Sequence, residues 1–276
     1  MKALDQLEAE AIHIFREAAT TLKNPVLFYS IGKDSSVLLH LARKAFYPAP
    51  IPFPLLHVDT GFEFPEMAEF RDYFIEKIGA EVIVVQNREP EAGKFTKDDT
   101  HSEEYVYYKK SKPLVETIRE HGFDGGFGGA RRDEEKARAK ERVFSHRTES
   151  QAWDPKNQRP ELWHLYNSNA QKGESFRIFP ISNWTETDVW QYIVQEQIEL
   201  VPLYYATEMD VVVRDGVTLR IDNFVQPESG EEVVRGMYRY RTLGCAPSTG
   251  AVASEATTAE LILEEIITSK ASERQN

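Results

Sequence analysis

Residues 25–46, with the sequence PVLFYSIGKDSSVLLHLARKAF, decide the fold of this 276-residue chain. The continuous apolar run 25–29 is typical of a strand that is buried on both faces of a parallel sheet. From Val37 onward, apolar residues recur at helical spacing. The polar segment 30–36 therefore joins a strand to a helix, and the first N–H groups of that helix point at whatever lies in the crevice. Phosphate is the natural ligand of such a loop.

The composition of segment 30–36 suits a phosphate-binding loop. Gly32 permits a close approach of the backbone to a ligand, and Lys33 supplies a positive charge. Hydroxyl groups that can donate hydrogen bonds to phosphate are those of Ser30, Ser35 and Ser36. The alternative is a plain strand-to-helix turn that carries a surface lysine.

The two most familiar phosphate-binding motifs do not match this loop. A Walker loop requires glycine where Leu27 stands and serine or threonine where Asp34 stands. A dinucleotide-binding fingerprint requires three spaced glycines, and only Gly32 is present. An acidic residue beside phosphate is unfavourable unless it caps the helix or meets a metal ion bound to the phosphate. Asp34 therefore sets this loop apart from the common NTPase loop.

Strand and helix patterns alternate beyond this loop. Strand-like runs at 52–61 and 80–86 flank a helical run at 64–79, which predicts a parallel α/β sheet. Residues 130–147 are rich in helix-forming residues and favour a helix.

The C-terminal part of the chain has a different pattern of residues. Asp215-Gly216 lies between two alternating segments and predicts a β-hairpin, and an apolar stripe at 259–267 predicts a terminal helix. We therefore predict a nucleotide-binding α/β domain over residues 1–190. A C-terminal α+β extension over 191–276 is expected to complete the active site and the contacts with a partner.

Composition excludes several classes of function. The formal net charge of −12 argues against nonspecific binding to nucleic acid or to an anionic membrane, so a small anion needs a local basic pocket. The single cysteine, Cys245, cannot form an intrachain disulfide or a multi-cysteine metal site. No apolar run is long enough to cross a bilayer, and the N-terminus lacks a secretory signal pattern. These observations predict a cytoplasmic protein.

Several motifs together resemble a known family. SIGKDSS at 30–36 resembles the pyrophosphatase loop of the ATP-pyrophosphatase superfamily, usually Ser-Gly-Gly-x-Asp-Ser, with Ile31 in place of the first glycine. The match extends through LLHVDTGFEFPEMAEFRD, FGGARRDEEKARAKERVFS, WDPKNQRPELW, FPISNWTETDVWQYI and RTLGC. Over nearly the whole chain, these segments resemble the small catalytic subunits of bacterial sulfate adenylyltransferases.

The resemblance implies both a fold and a reaction. The fold is adenine-nucleotide alpha-hydrolase-like, a mostly parallel twisted sheet with helices on both faces, and the domain over 1–190 is of the ATP-pyrophosphatase type. The reaction joins sulfate to the α-phosphorus of ATP and gives adenosine 5′-phosphosulfate and pyrophosphate during sulfate assimilation. The resemblance also implies Mg²⁺ bound with the nucleotide. A separate large GTPase subunit, in a heterodimer or a higher assembly, couples GTP hydrolysis to this uphill step.

The loop and the strand after it supply the expected nucleotide contacts. The residues assigned to the β- and γ-phosphates are Ser30, Gly32, Lys33, Ser35 and Ser36. Asp34 is assigned as an organiser of the loop or an indirect partner of Mg²⁺. The residues assigned to the adenosine pocket, at the carboxyl end of the next strand, are Asp59, Thr60 and Gly61.

The segment FGGARR supplies the remaining catalytic candidates. Gly128 and Gly129 would let the backbone pack against the nucleotide. Arg131 and Arg132 would clamp the α-phosphate or the sulfate with planar guanidinium groups, and they join Lys33 and Asp34 as the predicted catalytic residues. No spacing of histidines assigns a metal site to the protein alone.

Two features near the C-terminus leave alternatives open. Arg239 and Arg241 would lie on one face of a strand and form a second candidate clamp for sulfate. Cys245 lies in Leu-Gly-Cys-Ala-Pro, not in the Glu-Cys-Gly motif of the related phosphosulfate reductases, which favours a buried structural cysteine. The alternative functions are a phosphosulfate reductase or another ATP pyrophosphatase, and a non-catalytic ATP-binding regulator of the GTPase.

Overall fold

The computed structural model describes residues 3–134, 138–156, 158, 160–169 and 171–268. The strands are β1 (Pro25–Phe28), β2 (Leu55–Val58), β3 (Val82–Val85), β4 (Gly125–Phe127), β5 (Phe144–Arg147), β6 (Ser175–Ile178), β7 (Thr207–Arg214), β8 (Val217–Arg220), β9 (Val234–Tyr240) and β10 (Ala251–Ala253). The α-helices are α1 (Ala3–Thr21), α2 (Lys33–Phe46), α3 (Pro65–Ile78), α4 (Glu103–Val106), α5 (Lys112–His121), α6 (Glu186–Glu196) and α7 (Ala259–Thr268).

The first sheet has six strands in the order β3-β2-β1-β4-β6-β5. Neighbouring strands are parallel except β5, which runs antiparallel to β6. Because β1 and β4 lie in the middle, the loops that follow them emerge side by side at the carboxyl edge. This edge is where open α/β sheets bind ligands.

Helices cover both faces of this sheet, which explains why β1 is apolar throughout. Leu27 packs in the main core with residues of α1, α2 and α6. Val26, its neighbour, faces the opposite side and packs with Leu56 and with Ile118 of α5. The predicted α/β class, with a mostly parallel sheet between helical layers, is confirmed.

Four antiparallel strands form the second sheet, in the order β10-β9-β7-β8. The predicted hairpin is confirmed: β7 and β8 pair around Asp215 and Gly216, whose φ values of 51° and 80° suit a tight two-residue turn. The terminal helix is also confirmed as α7. Within the described ranges, no helix is long and apolar enough to cross a membrane.

The helix predicted over 130–147 is wrong for the described residues of this segment. Residues 132–134 form a turn and Arg138–Lys140 form a single turn of 3-10 helix. Residues 144–147 form β5 and pair with β6 from Phe144 opposite Ile178 to Arg147 opposite Ser175. Edge pairing and burial of Phe144 in the main core override the helical propensity of this segment. Residues 135–137 lie outside the described residues.

Helix α6 connects the two sheets, and the boundary predicted at 190/191 falls inside it. Glu186, in its first turn, forms a buried ion pair with Arg241, which follows β9. Arg241 donates from Nε to Oε1 at 3.1 Å and from Nη2 to Oε2 at 2.7 Å. Both side chains are less than one tenth exposed, so the pair ties the second sheet to the helix that packs on the first.

We expect Glu186→Ala to destabilise the fold by about 3–5 kcal/mol, because it leaves the Arg241 guanidinium buried without its carboxylate. Urea denaturation measures the change, and the double variant Glu186→Ala/Arg241→Met should recover most of it. Glu208→Ala, which removes the exposed partner of Arg235, is the control and should leave the midpoint nearly unchanged. Equal midpoints for Glu186→Ala and the control would contradict a structural role for the buried pair.

Candidate functional site

The loop between β1 and α2 contains a strained residue. Ile31 has a φ of 64° and is fully buried. A β-branched side chain is rarely tolerated in the left-handed region, where glycine is the usual residue. The surrounding core therefore holds the backbone in a conformation that the sequence alone disfavours, and such strain is typical of ligand-binding loops.

A charge network lies at the start of α2. The Asp34 carboxylate accepts from Lys33 Nζ at 3.1 Å and from Arg131 Nε at 2.7 Å. Lys33 and Arg131 are both buried, at 1% and 0% exposure. Burial by itself would raise the pKa of Asp34, but the charges and hydrogen bonds of Lys33 and Arg131 outweigh it and hold the pKa below the ordinary range. Two predicted catalytic cations thus meet at one predicted catalytic carboxylate.

Tyr204 completes the loop from a distant part of the chain. Its hydroxyl oxygen accepts the backbone N–H of Lys33 at 2.8 Å, and its ring packs edge-on against Trp190 of α6. This contact was not predictable from local sequence, because VPLYYA carries no motif that connects Tyr204 with a loop 171 residues away.

A polar cavity of about 280 Å³ opens over this loop. The residues from the predicted phosphate site that line it are Ser30, Gly32, Lys33, Asp34, Ser35 and Gly129. Tyr204, Thr242 and Leu243 close it from the C-terminal part of the chain. The cavity therefore combines backbone donors, hydroxyl groups and the Lys33 ammonium, which are groups that bind phosphate. The carboxylates of Asp34 and Glu134 also line it.

A second cavity, of about 270 Å³ and mostly apolar, adjoins the first. The two share Phe28, Ser30 and Leu243, and the second extends past Thr60 and Leu114. A flat apolar group joined to a chain of phosphates fits the pair of cavities better than phosphate alone does. ATP, which joins an adenine ring through ribose to three phosphates, has this combination of parts.

Two buried polar groups flank the apolar cavity. His57 contacts the backbone oxygen of Tyr29 through Nδ1 at 2.9 Å and the Glu63 carboxylate through Nε2 at 3.0 Å. Cys245 is 4% exposed, and its Sγ lies 3.1 Å from the Tyr105 hydroxyl. The cysteine thus lies in the wall of the cavity as a buried residue.

Of the other predicted nucleotide contacts, some line the cavities and others lie beside them. Thr60 lines the apolar cavity, whereas Asp59 accepts the N–H of Gly61 at 2.7 Å and forms a turn in which Gly61 has a φ of 82°. Ser36 is buried and does not line the polar cavity.

The two glycines of FGGARR have a packing role. A Cβ atom on Gly129 would lie 3.2 Å from the backbone and Cβ of Asp34, and one on Gly128 would lie 3.2 Å from the Phe179 ring. Gly129 therefore allows the segment after β4 to lie directly against the phosphate loop.

The predicted arginine clamps are separated in the structure. Arg131 belongs to the phosphate loop network, whereas Arg132 donates to the Asn183 side chain and, at 3.4 Å, to the backbone oxygen of Glu141. Arg239 is neutralised by Glu265 at 2.8 Å, and Arg241 by Glu186. The structure therefore argues against Arg239 and Arg241 as a sulfate clamp, because both guanidinium groups are already paired with carboxylates.

Comparisons with known proteins agree with this geometry. Residues 24–251 match the phosphoadenosine phosphosulfate reductase domain family. Sulfate adenylyltransferase subunit 2 of Erwinia tasmaniensis is 56% identical over 273 residues, which cover 99% of this chain and 90% of that protein. The protein of the same name from Yersinia pestis is 55% identical over the same shares.

A solved structure has the same fold at much lower identity. The phosphoadenylyl-sulfate reductase of Candida auris, in complex with phosphate, aligns with a TM-score of 0.51 and 17% identity over 74% of this chain and 91% of that one. With its pyrophosphatase-type loop, its α/β sheet and more than half of its residues identical to the curated relatives, the chain belongs to the sulfate adenylyltransferase subunit 2 family.

Proposed function

We propose that this chain transfers the adenylyl group of ATP to sulfate and releases pyrophosphate. The observation that carries the proposal is the junction of a polar cavity, which contains Lys33, with an apolar cavity at the carboxyl edge of the sheet. The polar cavity suits the β- and γ-phosphates, and the apolar cavity suits adenine. The α-phosphate would then lie near the residues shared by both, Phe28, Ser30 and Leu243.

The reaction needs positioning and charge stabilisation more than acid or base catalysis. A sulfate oxygen attacks the α-phosphorus and forms the new P–O bond, while the bond from the α-phosphorus to the bridging oxygen breaks and pyrophosphate leaves with both electrons. Sulfate carries no proton at neutral pH, so no general base is required. Lys33, Arg131 and the N–H groups at the start of α2 stabilise the charge that develops on the leaving group.

The protein side chains suit a metal ion that arrives with the nucleotide. Within the described ranges, no group of three or more acidic, histidine or cysteine side chains could hold one. Asp34 is bound by Lys33 and Arg131, so it would contact Mg²⁺ through water. Mg²⁺ on the phosphate oxygens would neutralise charge on the pyrophosphate.

The relatives' name, subunit 2, implies a partner subunit. We propose that this partner is a large GTPase subunit, in keeping with the resemblance of the sequence motifs. Forming a phosphosulfate anhydride from ATP is uphill, and GTP hydrolysis in a second chain would supply the missing free energy. We also propose a cytoplasmic location for the complex.

A reductase function is disfavoured by the environment of Cys245. Reductive attack on a phosphosulfate needs an accessible thiolate in a positive field. Cys245 is 4% exposed and lies against the hydroxyl groups of Tyr105 and Thr60, with Sγ 3.1 Å and 3.6 Å from their oxygens.

Product analysis tests the proposed function directly. The chain is incubated with ATP, sulfate and Mg²⁺, with and without the GTPase partner and GTP, and the products are identified by mass spectrometry. We expect adenosine 5′-phosphosulfate and pyrophosphate in a sulfate-dependent reaction that GTP and the partner increase. ATP binding without cleavage between the α- and β-phosphates in the full complex would favour a regulatory role instead.

We expect Lys33→Met to lower kcat roughly 10²–10³-fold, because a preorganised cation facing the leaving pyrophosphate is lost. Pyrophosphate release measures the change. Lys77→Met, on the exposed end of α3, is the matched control and should leave kcat unchanged. Equal rates for the two variants would contradict the phosphate assignment of Lys33.

The low pKa of Asp34 predicts how stability responds to acid. We expect Asp34→Asn to destabilise the protein at pH 7, because Lys33 and Arg131 lose their counter-charge. The stability difference from the wild type should stay constant down to about pH 5. It should shrink only as the pH falls through the unfolded-state pKa, about 3.9, toward the lower folded-state pKa.

Denaturation of both proteins between pH 3 and 8 checks this expectation. The ratio of their kcat values should also be independent of pH between about 6 and 9, because Asp34 stays ionised there. A change of that ratio near neutral pH would instead identify Asp34 as a titrating general base.

A further inference from the structure

Arg177 of β6 differs from the buried arginines in the described part of the chain. Its side chain is only partly exposed, and it makes no hydrogen bond or ion pair with any described residue. By contrast, the buried Arg131, Arg239 and Arg241 each contact a carboxylate. A charge that is withdrawn from water without a counter-ion is costly, so its retention calls for a ligand.

The sheet holds the Arg177 guanidinium in a fixed plane. The group stacks on the Phe28 ring with its carbon 4.5 Å from the ring centroid. Gly126, on the strand between them, makes the stack possible: a Cβ there would lie 2.2 Å from the Phe28 ring and 3.0 Å from Arg177 Nη1. A stacked guanidinium keeps its N–H groups at the rim, where they can bind an oxyanion through two parallel hydrogen bonds.

Phe28 connects this arginine with the nucleotide site. The ring that carries Arg177 on one face also lines both the polar and the apolar cavity. Arg177 itself lines neither cavity, so the Phe28 ring separates the guanidinium from the point where the two cavities meet. An anion bound there would be a neighbour of the nucleotide and distinct from its phosphates.

A second buried donor lies opposite Arg177. Ser145 is its direct partner in the β5–β6 register, so both side chains project from the same face of the sheet. The Ser145 hydroxyl is fully buried, and none of the described residues hydrogen-bonds to it. An oxyanion bound here would accept a hydrogen bond from the buried hydroxyl and balance the charge of the neighbouring guanidinium.

The charge of this region is positive. Arg147, two residues beyond Ser145 on the same face, pairs with Glu141 at 2.7 Å, so this carboxylate is shared between two arginines. Burial and the neighbouring Arg147 outweigh the attraction of Glu141 and lower the pKa of Arg177 to about 9, which leaves it charged at neutral pH. A bound dianion would compensate the guanidinium for its lost hydration and would offset the repulsion from Arg147.

We propose that Arg177 and Ser145 form an oxyanion subsite for the second substrate, sulfate, next to the junction of the two cavities. The identity of the anion as a substrate rests on the proposed function. The subsite itself rests on the unpaired arginine, its stacking on Phe28 and the unsatisfied serine.

The test measures binding of the anion and turnover separately. Thermal unfolding of the full chain is followed in sodium sulfate and in sodium chloride of equal ionic strength. Sulfate stabilises folded proteins in general, so the sulfate-specific rise is the part of the midpoint shift that saturates with sulfate concentration. We expect this saturable rise in the wild type and its loss in Arg177→Met. Without sulfate, Arg177→Met should be at least as stable as the wild type, because it removes an unpaired charge.

Kinetics with the partner subunit and GTP provide the second readout. Arg177→Met should raise the KM for sulfate roughly 10–100-fold, as expected for the loss of charge-assisted hydrogen bonds, and leave the KM for ATP nearly unchanged. Arg177→Lys should recover part of the loss, and Ser145→Ala should cause a smaller increase. Arg235→Met, on the exposed surface, is the matched control and should behave as the wild type in both measurements.

Each other outcome overturns a distinct claim. A sulfate-specific midpoint shift that survives in Arg177→Met, or that is missing in the wild type, would overturn the subsite. Should Arg177→Met fail to fold, an unchanged KM for sulfate in both Arg177→Lys and Ser145→Ala would overturn it as well. A lost midpoint shift in Arg177→Met together with no phosphosulfate from the wild-type complex would support the anion site and overturn the proposed reaction.

Discussion

The ion pairs of Asp34 are the interaction on which the rest of the site depends. Lys33 and Arg131 are both buried near the mouth of the sheet, and without an acid between them they would repel each other in a region poor in water. Asp34 removes that repulsion and joins the loop after β1 to the segment after β4. The same carboxylate that looks unfavourable beside a phosphate is therefore the counter-charge that lets the protein fold before the phosphate arrives.

Three separate parts of the chain make this arrangement rigid. The buried Ile31 is held in the left-handed region by the core beneath it. Gly129 lets the segment after β4 lie against Asp34, and the Tyr204 hydroxyl accepts the Lys33 N–H. Because each support comes from a different element, the donors at the start of α2 are oriented at no further entropic cost when a ligand binds.

The sequence predicted those features that depend on local order. The apolar run 25–29, the loop after it and the Asp215-Gly216 hairpin each follow from neighbouring residues, and the structure contains all three. The helix expected over 130–147 is absent from the described residues of that segment, and at 144–147 a strand replaces it because edge pairing with β6 is a tertiary effect. The pairing of Arg239 and Arg241 was likewise hidden, because their carboxylate partners lie 26 and 55 residues away.

Arginine spacing alone could not distinguish a ligand-binding arginine from a structural one, and the distinction rests on counter-charge. A guanidinium that already holds a carboxylate has little attraction left for sulfate, whose strong hydration must be replaced on binding. Arg239 and Arg241 fall in that class although they lie in an inviting alternating pattern. Arg177, in an unremarkable strand, keeps its full charge because Gly126 and Phe28 give it a place without giving it a partner. The cations of the phosphate loop, Lys33 and Arg131, thus share the carboxylate of Asp34 in direct contact, whereas Arg177 has no carboxylate within ion-pair distance among the described residues.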